Sequence, residues 1–118
     1  MYEIRFYETP SGNNPFLKYI QKLKSQYKDD ECTQIWAYVK KLEEFGFDIN
    51  DRFKEGAIKP LREQVYELRP DSSRVFFFHY QNGIFIILHG YEKKTNKTDP
   101  QEIKKAIREK KDFIKREQ

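Results

Sequence analysis

The chain has 118 residues, of which 37% are hydrophobic, 36% charged and 16% aromatic, and this length predicts a single domain spanning residues 1–118. Its net charge of +4 favours anionic partners, nucleic acid first. A single cysteine excludes an intramolecular disulfide framework and a CxxC metal site. No apolar run is long enough to cross a membrane, so we expect a cytoplasmic protein without a membrane partner.

The N-terminal part predicts one strand and two helices. Residues 2–7 alternate apolar and polar side chains, as a half-buried strand does. Asn14-Pro15 is typical of an N-cap and first helical position, and the apolar spacing after it predicts an amphipathic helix to about Tyr27. A second helix is expected to begin at an N-cap formed by Asp29-Asp30 and to end at Gly46. The two helices should form an antiparallel hairpin.

The central part predicts three strands in succession. Periodicity fades over residues 47–61, which we expect to be a mostly irregular connector. Residues 65–69, 74–80 and 84–91 then show strand patterns. Asn82-Gly83 predicts a type I′ turn between the last two strands.

The last predicted element is a helix that follows the polar residues 95–99. Asp99 and Pro100 suit its N-cap and first turn, and Glu102 gives a near match to a capping box. The order of elements predicts an α+β fold, in which a small, mainly antiparallel sheet packs against the N-terminal helical hairpin and a C-terminal helix follows.

Cationic and phenolic side chains gather around the predicted strand ends. His89, Tyr91 and Lys93 project from one face of a strand because successive side chains alternate, and Arg69 and Arg74 flank a short loop. Such groups suit a phosphodiester, since arginine binds two phosphate oxygens and Lys, His or Tyr exchange protons. Tyr or Lys acts as a base at neutral pH only where surrounding positive charge lowers its pKa.

Motifs of other enzyme classes are absent from the sequence. It contains no GxGxxG, Walker loop, HExxH or GxSxG, and two histidines do not suggest a His-rich metal site, so we predict no cofactor and no metal. The candidates also have structural alternatives. Arg69 and Arg74 would then be surface cations beside a turn, His89 and Tyr91 packing residues, and the Lys-rich last helix a solvated face.

Two segments, VYELRPDSSRVFFFHY and IFIILHGYEKKTNKTDPQEIKKAI, resemble the RelE/ParE superfamily of bacterial toxins. The closer likeness is to its HigB-like, phage-derived branch, in which a strand ends in ELR, the next begins with Arg, and an LLHGF-KKT-KTP motif follows. Here Tyr91 replaces the usual Phe, and Asp99 is inserted before Pro100. The resemblance implies a RelE-like fold and a type II toxin that inhibits translation. Such a toxin is a ribosome-dependent, metal-independent mRNA endonuclease that uses 2′-hydroxyl attack and leaves a cyclic phosphate.

The resemblance also implies partners and residue roles. The partners would be the ribosome, mRNA and a cognate helix-turn-helix, HigA-like antitoxin, with operator DNA reached only through the antitoxin. Arg69 and Arg74 would steady the scissile phosphate. Acid-base or electrostatic help would come from His89, Tyr91, Lys93 and Lys94, and RNA would also contact Lys59, Arg62 and Lys97. Two alternatives remain: a ParE-like toxin that acts on DNA gyrase without RNase activity, and a degenerate toxin that serves as a binding or autoregulatory module.

Overall fold

A five-stranded sheet lies at the centre of the fold, with helices on both faces. The computed structural model describes residues 1–117. Its elements are, in chain order, β1 (Glu3–Phe6), α1 (Pro15–Ser25), α2 (Asp29–Phe45), a 3-10 turn (Gly46–Asp48), α3 (Ile49–Arg52), β2 (Ile58–Pro60), β3 (Tyr66–Leu68), β4 (Ser73–Gln81), β5 (Ile84–Glu92) and α4 (Pro100–Glu117). The predicted α+β class is confirmed. Of the helices in this range, none has both the length and the hydropathy of a membrane span.

The strands lie in the order β1-β5-β4-β3-β2. Strands β3, β4 and β5 form antiparallel neighbours, as predicted, and β2, which was not predicted, pairs antiparallel with β3. Strand β1 runs parallel to β5, with Glu3 opposite Ile84 and Phe6 opposite Ile87. The sheet is therefore mixed but mainly antiparallel over the residues described.

An apolar layer lies on each face of the sheet. On one face the helical hairpin of α1 and α2 buries Phe16 and Ile35 completely against the strands. On the other face α4 contributes Ala106 to a second layer, which contains Phe76 and Phe78. Alternate residues of β4 thus enter different cores, which explains why this strand is apolar over most of its length.

The predicted boundaries of α1 and α2 are correct except at the N-cap of α2 and at the end of α1, which lies at Ser25, two residues before the predicted Tyr27. Asn14 Oδ1 accepts the N–H of Leu17 at 3.0 Å, so the predicted N-cap of α1 is confirmed. Gly46, with φ of 57°, ends α2 as predicted. The predicted Asp N-cap is wrong, because Lys28 holds that position and Asp29-Asp30 lies inside the first turn. There the carboxylates are placed favourably near the positive end of the helix dipole.

Helix α4 begins as predicted but has no capping box. Asp99 Oδ1 accepts the N–H of Gln101 at 2.8 Å. The carboxylate of Glu102, which a capping box would turn back to the N-cap, instead lies 2.9 Å from His89 Nε2. Glu102 therefore contacts the sheet through His89, and the predicted capping box is not formed.

Two predicted loops are also corrected. Residues 47–61 include α3 and β2, which are only four and three residues long and so too short to show a period. Asn82-Gly83 does join β4 to β5, but only Gly83 has a positive φ, of 77°. A type I′ turn needs positive φ at both central residues, so the predicted turn type is wrong.

Candidate functional site

A polar cluster interrupts the apolar layer under α4 at one end of the sheet. Alternation places Glu67 of β3, Arg74 of β4 and Tyr91 of β5 on the side that faces α4, where the Tyr91 ring stacks on Phe76 at 5.8 Å between centroids. Residues 93–99 return from β5 to the start of α4. We call this group the strand-end cluster and define it as Glu67, Arg69, Arg74, Tyr91 and Thr98.

A bulge in β5 turns two successive side chains toward α4. The register between β4 and β5 shifts after Val75 and resumes at Phe77, so that Leu88 and His89 oppose a single residue of β4. Leu88 packs in the apolar layer under α4, and His89 contacts carboxylates of the same helix. His89 and Tyr91 therefore lie on one side of the sheet, as alternation predicted.

His89 joins the sheet to α4. The residue is 2% exposed, with Nδ1 2.6 Å from Glu109 Oε1 and Nε2 2.9 Å from Glu102 Oε1. Burial acts to lower the pKa of His89, but the hydrogen bonds to Glu102 and Glu109 outweigh it and raise the pKa above its usual 6.5. The His89 contact lowers the pKa of Glu102. Both ring nitrogens are thus occupied, which leaves neither free for a substrate.

Glu67 is the member of the cluster that sequence reasoning did not single out. Its side chain is completely buried, and Oε1 accepts the hydroxyl of Thr98 at 2.8 Å. Its Oε2 lies 3.4 Å from Arg69 Nε but makes no hydrogen bond with it. The Glu67 carboxylate therefore lies between Thr98, in the loop before α4, and Arg69, directly after β3. One signal in the sequence indicates this residue: Glu67 is the only acid among the predicted strand residues 65–69, and alternation places it on the same face as Arg69.

The two arginines of the cluster differ in exposure. Arg74 is 4% exposed, and its Nη1 donates to the carbonyls of Asp71 and Ser73 at 3.2 and 2.8 Å. Burial and the nearby charge of Arg69 lower the pKa of Arg74, against the opposing effect of Glu67. Arg69 keeps 28% of its side chain exposed. A phosphate arriving from solvent therefore meets Arg69 first, with Arg74 deeper in the protein.

Tyr91 is held as a protonated phenol. It is half-buried, and its hydroxyl oxygen accepts the N–H of Asp99 at 2.9 Å. Burial raises the pKa of Tyr91 above its usual 10, and the hydrogen bond from Asp99 offsets this only in part. The condition for a tyrosine base, a pKa lowered by neighbouring cations, is not met. Tyr91 is instead suited to donate a proton.

Three lysines follow the cluster along the loop before α4. Lys93 Nζ donates to Asn96 Oδ1 at 3.3 Å. Lys94 and Lys97 are exposed and line a cleft of about 370 Å³ together with Tyr91. The loop thus places ammonium groups beside the half-buried phenol.

The two remaining predicted residues differ in their distance from the strand-end cluster, Lys59 lying next to it and Arg62 apart from it. Lys59 is exposed on β2, opposite Glu67 in the neighbouring strand. Arg62 lies in the turn between β2 and β3, at the opposite end of β3 from Arg69. The structure therefore brings together Arg69, Arg74, Tyr91, Lys93, Lys94 and Lys97, with His89 buried behind them, and leaves Arg62 apart.

A family model described as Phage derived protein Gp49-like (DUF891) matches residues 18–111, from α1 into α4. The chain belongs to this family. The Gp49-like family is of the RelE/HigB-like toxin type and is associated with RelE-like endoribonucleases, and a toxin family implies an antitoxin partner in general. None of the curated proteins compared matches the chain. The strand-end cluster of this Gp49-like protein lies entirely within the matched segment.

Proposed function

We propose that this chain is the toxin of a type II toxin-antitoxin pair and cleaves mRNA on the ribosome, and that a HigA-like antitoxin restrains it. The observation that carries the proposal is the strand-end cluster, in which a partly exposed arginine, a buried arginine and a protonated phenol share one end of the sheet. This set supplies cations for a phosphate and a proton for a leaving oxygen. Membership in the Gp49-like family supports the toxin class.

The proposed reaction is attack of a ribose 2′-oxygen on the adjacent phosphorus. The new bond closes a cyclic phosphate, and the bond from phosphorus to the 5′-oxygen breaks. Arg69 and Arg74 stabilise charge that develops on the phosphate oxygens, and Tyr91 donates its phenolic proton to the leaving 5′-oxygen. Because His89 has both nitrogens occupied, we assign the 2′-hydroxyl proton to a water molecule, and Lys93 and Lys94 add positive charge beside the phosphate.

The test compares Arg69→Ala with the wild type after induced expression, with new mRNA ends mapped by primer extension. We expect wild-type protein to produce new ends and growth arrest, and Arg69→Ala to reduce the rate of cleavage by about 100-fold or more, since it removes a donor to the reacting phosphate. Arg5→Ala is the matched control, because Arg5 is exposed on the edge strand β1 and pairs with Glu3 at 2.5 Å.

Two results would contradict the proposal. Cleavage by Arg69→Ala at the wild-type rate would exclude the assigned site. Growth arrest without new mRNA ends, together with inhibition of DNA supercoiling by gyrase, would replace the endonuclease by the ParE-like alternative.

A further inference from the structure

The acidic side chains along α4 are turned toward the body of the protein. Glu102 and Glu109 contact His89, and Asp112 Oδ2 accepts the hydroxyl of Tyr7 at 2.7 Å. Only Glu117, the last residue described, is an exposed acid on this helix. The outward face of α4 therefore carries little negative charge.

Four basic residues occupy that outward face, and we call them the basic stripe: Lys104, Arg108, Lys111 and Lys115. All four are exposed, and with 3.6 residues per turn they fall within an arc of about 60° and extend over about 16 Å. Lys111 lies 3.7 Å from Glu63 in an exposed pair, which contributes little to stability. Across residues 1–117, no carboxylate comes within 4 Å of the other three. A solvated helix face ordinarily mixes both signs of charge.

The basic stripe begins close in sequence to the strand-end cluster. Helix α4 starts directly after the loop that carries Lys94 and Lys97, and Lys104 follows about one helical turn later. Positive charge thus lies on both sides of the short acidic segment that holds Asp99 and Glu102, first on the loop and then along the outside of α4. A polyanion is the complement of such a surface.

We propose that the basic stripe binds the phosphate backbone of folded ribosomal RNA and so anchors the protein beside the mRNA that enters the strand-end cluster. This inference rests on the proposed function for its partner. The stripe makes contacts with phosphates only, so it contributes affinity without sequence preference.

The experiment replaces all four stripe residues by Gln and measures binding to purified 70S ribosomes over a range of KCl concentrations. The matched control replaces Lys18, Lys22, Lys24 and Lys40, four exposed lysines of α1 and α2. Both variants carry four fewer positive charges than the wild type. Removing the protein's charge from one phosphate reduces the steepness of log K against log salt by about 0.7 to 0.9. The slope should therefore become shallower by about 3 in the stripe variant and by less than 1 in the control.

Further measurements separate the role of the basic stripe from the proposed function of the strand-end cluster. The stripe variant should keep the wild-type kcat for mRNA cleavage at saturating ribosome and show a raised KM, because the cluster is intact. The single variant Arg108→Gln should show about a quarter of the slope change, and circular dichroism should show wild-type helix content for each variant.

The inference is wrong if the stripe variant binds 70S ribosomes with the wild-type salt slope, or if the slope of the control changes as much. It is also wrong if purified 16S and 23S RNA, free of protein, bind both variants equally, since the partner would then be a ribosomal protein. Stripe-dependent ribosome binding by a wild-type protein that cleaves no mRNA would instead reject the proposed function and leave the inference standing.

Discussion

The effect of each arginine in the strand-end cluster depends on how deeply its side chain is buried. Arg74 is 4% exposed and bonds the carbonyls of Asp71 and Ser73, so it supports the loop between β3 and β4 as well as any bound phosphate. Arg69 contacts solvent and makes no hydrogen bond through Nε. Under the proposed function, Arg69 is therefore the position at which a substitution should reduce activity with the smaller loss of stability.

Arg74→Ala should lower the free energy of unfolding by about 3 kcal/mol, because it leaves buried acceptors and the buried Glu67 without this cation. Arg69→Ala should lower it by less, about 1 to 2 kcal/mol, because the Arg69 side chain is partly exposed although its partner Glu67 is buried. Urea denaturation of both variants checks the difference. Equal losses would show that burial does not separate the roles of the two residues.

At the scale of elements, the contact between α4 and the sheet depends on the charge of His89. The histidine pKa is raised above 6.5, so its stabilising effect is complete below that pH and is lost as the pH rises through the raised pKa. The pKa of Glu102 is lowered below 4.5, so its effect is present above that pH and is lost as the pH falls through the lowered pKa. The contact is strongest between pH 4.5 and 6.5.

His89→Gln should therefore cost the most stability in that interval, about 3 kcal/mol, because Glu109 loses its buried cation. The difference in unfolding free energy between His89→Gln and the wild type should shrink as the pH rises through the raised pKa of His89. Thermal or urea unfolding over pH 4 to 9 measures it, with His79→Gln as the control at an exposed histidine. A loss for His89→Gln that does not change with pH would show that the charge of the ring has no part in the contact.

Gly90 is required by the packing of α1 on β5. A Cβ atom at this position would lie 2.9 Å from Tyr19 Cδ2, and the Tyr19 hydroxyl is fixed by Ser73 Oγ at 2.6 Å. Gly90→Ala should cost about 1 to 3 kcal/mol, as overpacking does. In a Tyr19→Val background, which lacks the ring, the same change should cost much less when unfolding free energies are compared. Equal costs in both backgrounds would exclude this contact as the reason for the glycine.

Long periodic elements could be predicted from the sequence, whereas short ones and long-range contacts could not. The three long helices and the β4–β5 hairpin repeat their pattern over several turns or pleats. Helix α3 and strand β2 are too short for that. The local pattern at Glu102 predicts a capping box, but the carboxylate instead contacts His89 on the preceding strand β5, a tertiary contact that a local pattern does not show.

At the scale of the whole molecule, the candidate site shows the same difference between features that a local pattern predicts and features that depend on long-range contacts. Alternation correctly placed His89 and Tyr91 on one face, but the depth of each depends on where α4 docks, which no local pattern encodes. The docking of α4 buries His89 and raises the pKa of Tyr91 through desolvation. The buried contact of Glu67 could not be predicted for a related reason, since its partner Thr98 lies 31 residues away in sequence.

The pairing of β1 with β5 should make the assembly of the sheet sequential. Contacts between distant segments close after local ones, so the β4–β5 hairpin should form before β1 docks. Phe6→Ala, which removes a ring stacked on Phe16 at 5.3 Å, should then speed unfolding and leave the folding rate nearly unchanged. Ile86→Ala, at a buried hairpin position, should slow folding. Stopped-flow kinetics in urea tests this, and equal slowing by both variants would contradict it.

The parallel pairing of β1 with β5 also determines when a chain that is being synthesised can complete its sheet. Strand β1 ends at Phe6, but its partner ends at Glu92 and α4 continues to Glu117. At about 5 to 20 residues synthesised per second, the partner strand is completed roughly 4 to 17 s after β1. Under the proposed function, the chain has no assembled site until β5 and the residues up to Thr98 have been synthesised. In the proposed toxin-antitoxin pair, the antitoxin would have this interval in which to be synthesised before the site of the toxin is assembled.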